Sequence, residues 1–77
     1  MEITWMVDSA GVETAHRNAP NLSQKESYLG ALVFNRTEQN WYAIVGGSFD
    51  KKDGERLGPF GMNQNSARLE LAKRVQK

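Results

Sequence analysis

The chain contains no cysteine and a single histidine, His16, and these two scarcities remove most of the devices that staple a small protein together. Without thiols there is no disulfide framework, and one imidazole falls far short of the four ligands of a structural zinc site. No apolar run approaches the roughly 20 residues that a membrane-spanning helix needs. The opening Met1-Glu2-Ile3-Thr4-Trp5 lacks the basic n-region and apolar core of an export signal. A thiol-free chain without such a signal is expected in the cytoplasm and away from membranes.

Catalytic chemistry is thinly supplied as well. Nucleophilic catalysis needs an activated Ser, Thr, Cys or Lys beside a base. Here the only imidazole lies at the end of a short, weak strand, where a surface or edge position is expected. Asp50, Asp53 and Glu55 crowd one turn, but their spacing is not that of a calcium loop. Gly46-Gly47-Ser48 follows a strand yet opens no helix, so it does not read as a phosphate-binding loop. A chain of 77 residues is also expected to lack room for a ligand pocket of several hundred Å³. The expectation is a protein that is not an enzyme, with no cofactor, no metal and no small-molecule substrate.

What is present is globular composition, 39% apolar and 25% charged, over a length that allows one domain, residues 1–77. A domain of this size buries only roughly 60% of the surface its unfolded chain exposes. It therefore depends on a well-packed core, on self-association or on a partner.

Ile3 to Val7 reads as a strand with Ile3, Trp5 and Val7 on one face, followed by the turn cluster Asp8-Ser9-Ala10-Gly11. Val12 to His16 returns as a second strand, with Val12 and Thr14 on one face and Glu13 and Ala15 on the other. Residues 1–17 thus form an N-terminal hairpin. Residues 18–27 are a polar linker containing Pro20. Within it Ser23 and Glu26 match a capping box, with Leu22 in the staple position, and allow a helix from Gln24. Gly30 and the hairpin signal that follows it favour a strand from Tyr28 to Asn35 instead. Trp41 to Val45 is strongly strand-like. Ser48 to Gly54 reads as an exposed loop tip, and Glu55 to Gly58 as a short strand stopped or placed at an edge by Pro59. Asn63 and Asn65 offer helix caps. From Ser66 to Gln76, Ala67, Leu71 and Val75 recur at helical spacing, with Leu69 and Ala72 widening the stripe. Lys73, Arg74 and Lys77 then sit where the helix dipole favours cations. The fold class is α+β: a small antiparallel sheet of three to five strands with one C-terminal helix packed on one face.

Two features bear on function. The first is a strand that is apolar on both sides: Trp41, Ala43 and Val45 face the helix, while Tyr42 and Ile44 face away. Such a strand must be covered twice. The second cover is the N-terminal hairpin, a second copy or a protein partner. The other feature is charge asymmetry. Residues 1–50 carry three basic and six acidic side chains, net −3, and residues 51–77 seven basic and three acidic, net +4. This is either a solvated helix face and loop, or a patch for nucleic acid or an acidic surface.

Residues 28–77 run strand, strand, loop, strand ending Leu57-Gly58-Pro59-Phe60, then an Ala-rich helix. With Trp41, Ala43, Ala67, Arg68 and Ala72, this resembles the three-stranded sheet plus helix of plant ethylene-response-factor DNA-binding domains. It also resembles the arm-binding domain of phage tyrosine recombinases. The resemblance implies a sheet that reads the major groove through basic side chains, here Arg36, Lys51, Lys52, Arg56 and Arg68. The central strand departs from that pattern because Tyr42, Ile44 and Gly46 carry no charge. The expectation carried forward is a non-catalytic protein-binding module, of the kind used by small adaptors and phage-type inhibitors. Its contact residues would be Tyr42, Ile44, Arg36, Lys51, Lys52 and Arg56. The alternative is a DNA-binding domain.

Overall fold

The structure, a computed structural model, describes residues 2–76; Met1 and Lys77, the latter among the cations expected at the helix end, lie outside the described residues. In chain order the elements are β1 (Ile3–Val7), β2 (Glu13–Arg17), α1 (Gln24–Ser27), β3 (Tyr28–Asn35), β4 (Asn40–Val45), β5 (Glu55–Leu57) and α2 (Gln64–Val75). The strands pair antiparallel in the order β1-β2-β3-β4-β5. Two short polar side chains fix the turns. Asp8 Oδ1 accepts from the backbone N–H of Ala10 and of Val12, both at 2.9 Å. Asn35 Oδ1 accepts from the N–H of Glu38 at 3.0 Å. Both are side-chain mimics of a backbone turn.

The two readings of residues 23–34 are both realised. Ser23 Oγ accepts from Glu26 N–H at 3.2 Å, and Glu26 Oε1 accepts from Ser23 N–H at 3.1 Å. This closed capping box holds one helical turn, after which the chain is a strand from Tyr28. The helix cannot continue because β3 is wanted in the centre of the sheet. There Glu13 pairs with Leu32 and Ala15 with Gly30, but His16 pairs with Tyr28, so Leu29 is an extra residue in a bulge.

The C-terminal helix begins two residues before the expected Ser66. Asn63 is its cap, with Oδ1 accepting from Asn65 N–H at 3.0 Å and Ser66 N–H at 3.3 Å. Ahead of it the chain stays bonded to β4, Trp41 N–H donating to Gly61 O and Phe60 N–H to Trp41 O. That tether sets α2 onto β4 and β3. The buried cluster under the helix is Ala15, Leu32, Ala43, Ala67 and Leu71, ringed by Trp5, Trp41, Val45, Leu57, Phe60 and Val75. The expected Ala67–Leu71–Val75 stripe is thus the packing face. Leu69 does not widen it: it is 63% exposed and points to solvent.

Candidate functional site

The second face of the sheet is covered, but not by the N-terminal hairpin. Trp5 and Ala15 of the hairpin lie edge-on in the same sheet, with Ala15 opposite Gly30, so β1 and β2 widen the sheet rather than fold across it. The cover is the loop between β4 and β5, residues 46–54, together with α1. Phe49 lays its ring 5.8 Å from that of His16 and 5.7 Å from that of Tyr28, and beneath lie Thr14, Ala31 and Ile44, all buried. The loop was expected to be an exposed tip. Instead it braces itself and reaches across. Ser48 N–H donates to Asp53 Oδ1 at 2.9 Å, and Lys51 N–H to Ser48 Oγ at 3.1 Å. Lys52 Nζ donates to the Phe49 carbonyl at 2.9 Å and pairs with Asp8 Oδ2 at 2.9 Å. The hydrogen bond from Lys52 is the main reason the Asp8 carboxyl is held below its ordinary range, with the Val12 N–H adding to it.

His16 is the largest departure from the sequence reading. It is 2% exposed rather than at the surface, because the Phe49 loop and α1 close over it. Thr14 Oγ1 lies 2.8 Å from Nε2, and Ser27 Oγ lies 3.1 Å from Nδ1. A neutral ring, with one nitrogen donating and the other accepting, fits both contacts. Burial pushes the pKa of His16 below 6.5, against a smaller opposing effect of the Gln24 carbonyl. The unfolded chain therefore takes up this proton first as pH falls. Stability is full above about pH 6.5. It declines below that and levels off once pH passes the folded pKa. Thermal midpoints in the mildly acidic range should thus fall for the wild type and stay flat for His16→Gln. In Phe49→Ala the His16 pKa, followed by NMR titration, should move up toward 6.5. An unmoved value would remove the loop as the source of burial. Tyr28 shares this interior: its hydroxyl is buried without a hydrogen-bond partner among the described residues, and burial, with smaller contributions from Asp53 and Asp8, pushes its pKa up to about 12.

The loop leaves one end of the second face open. There Tyr42 stands beside Val33 on the neighbouring strand. Its hydroxyl donates to Glu38 Oε1 at 2.6 Å, which raises its pKa, and the Arg56 guanidinium stacks over its ring at 4.0 Å. Glu38 as a brace for Tyr42 was not foreseen; its spacing of four residues across a turn was the available signal. Arg36 is exposed in that turn. On the helix side of the same end, Phe34 and Trp41 pack ring to ring at 5.2 Å. They line an open groove of about 680 Å³ with Val7, Leu32 and Arg36, larger than expected for a chain of this length.

The structure sorts the sequence-predicted residues. Tyr42, Arg56 and Arg36 sit at the open end. Ile44 does not: at 8% exposure it belongs to the interior. Lys51 is exposed on the loop, whereas Lys52 is turned inward onto Asp8. Arg68 lies on the helix side, with Nη2 2.9 Å from Glu13 Oε1 and its guanidinium 5.5 Å from the Trp5 ring. Of the other C-terminal cations, Arg74 pairs with Glu55 at 3.1 Å and Lys73 with Glu70 at 3.8 Å. Among the described residues no helix is long and apolar enough to cross a membrane, and no group of three or more His, Asp or Glu is gathered as for a metal ion. In comparisons with known families, curated proteins and solved structures, no significant match to this chain is found.

Proposed function

We propose that this chain is a non-catalytic protein-binding module, acting by surface complementarity as a small adaptor or inhibitor does, and that Tyr42 and Arg56 anchor its contact surface. The observation that supports this reading is where the fold spends its cations. Lys52 and Arg68 are held in shielded pairs with Asp8 and Glu13, and Lys73 and Arg74 pair with Glu70 and Glu55 at the exposed surface, so four of the seven basic residues of the C-terminal third already have a carboxylate of the same chain beside them. The surface that stays open is an aromatic ring stacked under a guanidinium and braced by Glu38. Tyr and Arg are over-represented among residues that dominate binding energy, and a ring held in place loses little entropy on contact. Arg36, exposed in the adjacent turn, would supply the charged rim.

The DNA-binding alternative keeps Arg36, Lys51 and Arg56. Each phosphate contact adds about 0.9 to the slope of log affinity against log salt. Contacts by these three alone would give a slope of about 3. The expected result is duplex binding no tighter than the roughly micromolar or weaker level typical of non-specific association. Capture of a protein from nuclease-treated lysate of the source cell should survive in the wild type and in Lys51→Glu. It should fall at least tenfold in Tyr42→Ala and Arg56→Ala. Tight, steeply salt-dependent duplex binding that is lost in Lys51→Glu and indifferent to Tyr42→Ala would overturn the proposal in favour of DNA.

A further inference from the structure

The two edges of the sheet are not alike. β5 is three residues long, carries Glu55 and Arg56, and is soon followed by Pro59. Short length, charge and proline are the devices by which natural sheets blunt an edge. The other edge has none of them. β1 is Ile3-Thr4-Trp5-Met6-Val7, without charge, proline or glycine, and it runs against β2 in unbroken register. Asn18 N–H donates to Glu2 O at 3.2 Å, and Asp8 N–H donates to Val12 O at 2.9 Å. In an antiparallel ladder this makes the even-numbered residues the ones bonded to β2. The N–H and C=O groups of Ile3, Trp5 and Val7 therefore point out along the open edge.

We propose that this edge pairs antiparallel with β1 of a second copy of the chain, about a two-fold axis at Trp5, joining the two sheets into one. In that register Trp5 faces its own equivalent, Ile3 faces Val7 and Thr4 faces Met6. All the outward backbone groups of Ile3, Trp5 and Val7 are then bonded at once, and the contact closes on itself. The side chains agree with the backbone. Ile3, Trp5 and Val7 share the helix side of the sheet, so Val7, 67% exposed in the single chain, gains Ile3 of the second copy as a cross-strand neighbour. Trp5 is already held under the Arg68 guanidinium. The register also sets Glu2 opposite Asp8, but the Asp8 carboxylate is engaged by Lys52 at 2.9 Å, which removes the like-charge objection. A second copy, rather than an unrelated strand, is favoured by the weakness of the single chain. Among the described residues four of the seven buried apolar side chains are alanines, and the chain has no cysteine for a disulfide. Small domains so placed gain their missing stability by association. This inference rests on the β1 edge and not on the Tyr42 surface.

Sedimentation velocity on the whole chain, from micromolar to near-millimolar concentration, reads the prediction. The wild type should shift toward a dimer, whereas Val7→Lys and Val7→Pro should remain monomers at every concentration. Both variants should leave the single chain folded, since Val7 is 67% exposed and its N–H points away from β2. On the wild type, amide exchange at Ile3, Trp5 and Val7 should slow at least tenfold as concentration rises, while Thr4 and Met6 are protected throughout. A wild type that is monomeric over the whole range would overturn the proposal. So would a dimer that forms equally in Val7→Lys, or one whose exchange at Ile3, Trp5 and Val7 ignores concentration.

Discussion

Leu71→Ala should lower the unfolding free energy by about 2–5 kcal/mol, and the value belongs in the upper half of that range. Leu71 is completely buried, and its neighbours Ala15, Ala43 and Ala67 are too short to move into the space it would leave. The cavity term, which depends on how far a site can collapse, is therefore close to its full size. Against a total stability that for so small a domain lies near the low end of about 5–15 kcal/mol, much of the population would be unfolded. Urea titration followed by tryptophan fluorescence gives the measurement: the midpoint should drop with the slope unchanged. Leu69→Ala, one helical turn's fraction away but 63% exposed, should change stability by no more than about 0.5 kcal/mol. Equal effects from the two would mean that α2 is rotated from the position described.

The contrast between those two leucines shows what the sequence could and could not convey. Helical spacing nominated Ala67, Leu71 and Val75 correctly, because a periodic stripe is a property of the chain itself. Leu69 is apolar but stands two residues from both Ala67 and Leu71, about 160–200° round the helix from them, so the same spacing that nominates the stripe turns Leu69 outward, where it is 63% exposed. The strands were legible for the same reason, as was the capping box at Ser23 and Glu26. What was hidden lies in contacts between distant segments. Phe49 is one apolar residue in a stretch of Asp, Lys and Gly, and local composition gives no hint that it seals His16. The acidic partners of the C-terminal cations, Asp8 and Glu13, sit more than 40 residues upstream of Lys52 and Arg68. Charge counted along the chain cannot register such pairings between distant segments.

Gly30→Ala should be at least as damaging as Leu71→Ala, and for a reason that no helix or strand propensity contains. The backbone conformation at Gly30 suits any residue, so strain is not the issue; space is. A methyl group there would overlap the carbonyl oxygen of Ile44 and come within 2.9 Å of Leu71 Cδ1. Leu71 can yield by changing rotamer. The Ile44 carbonyl cannot, because it belongs to the backbone of β4, which pairs with β3 through Gly30–Val45 and Ala31–Ile44. Relief would require the two central strands to part beside the bulge at Leu29. Overpacking of a core typically costs about 1–3 kcal/mol, and a clash with backbone in mid-sheet belongs beyond that range. The double variant Gly30→Ala/Leu71→Ala separates the two obstacles. If backbone overlap dominates, removing the Leu71 side chain returns little of the loss, and the variants add to a protein that is unfolded without a partner or osmolyte. Amide exchange at Ala31 and Ile44 in Gly30→Ala should rise well before exchange in β1 does. A Gly30→Ala protein with wild-type stability, or one rescued outright by Leu71→Ala, would show that β3 and β4 have room to give at this point, and that the close approach of sheet and helix is not what fixes this fold.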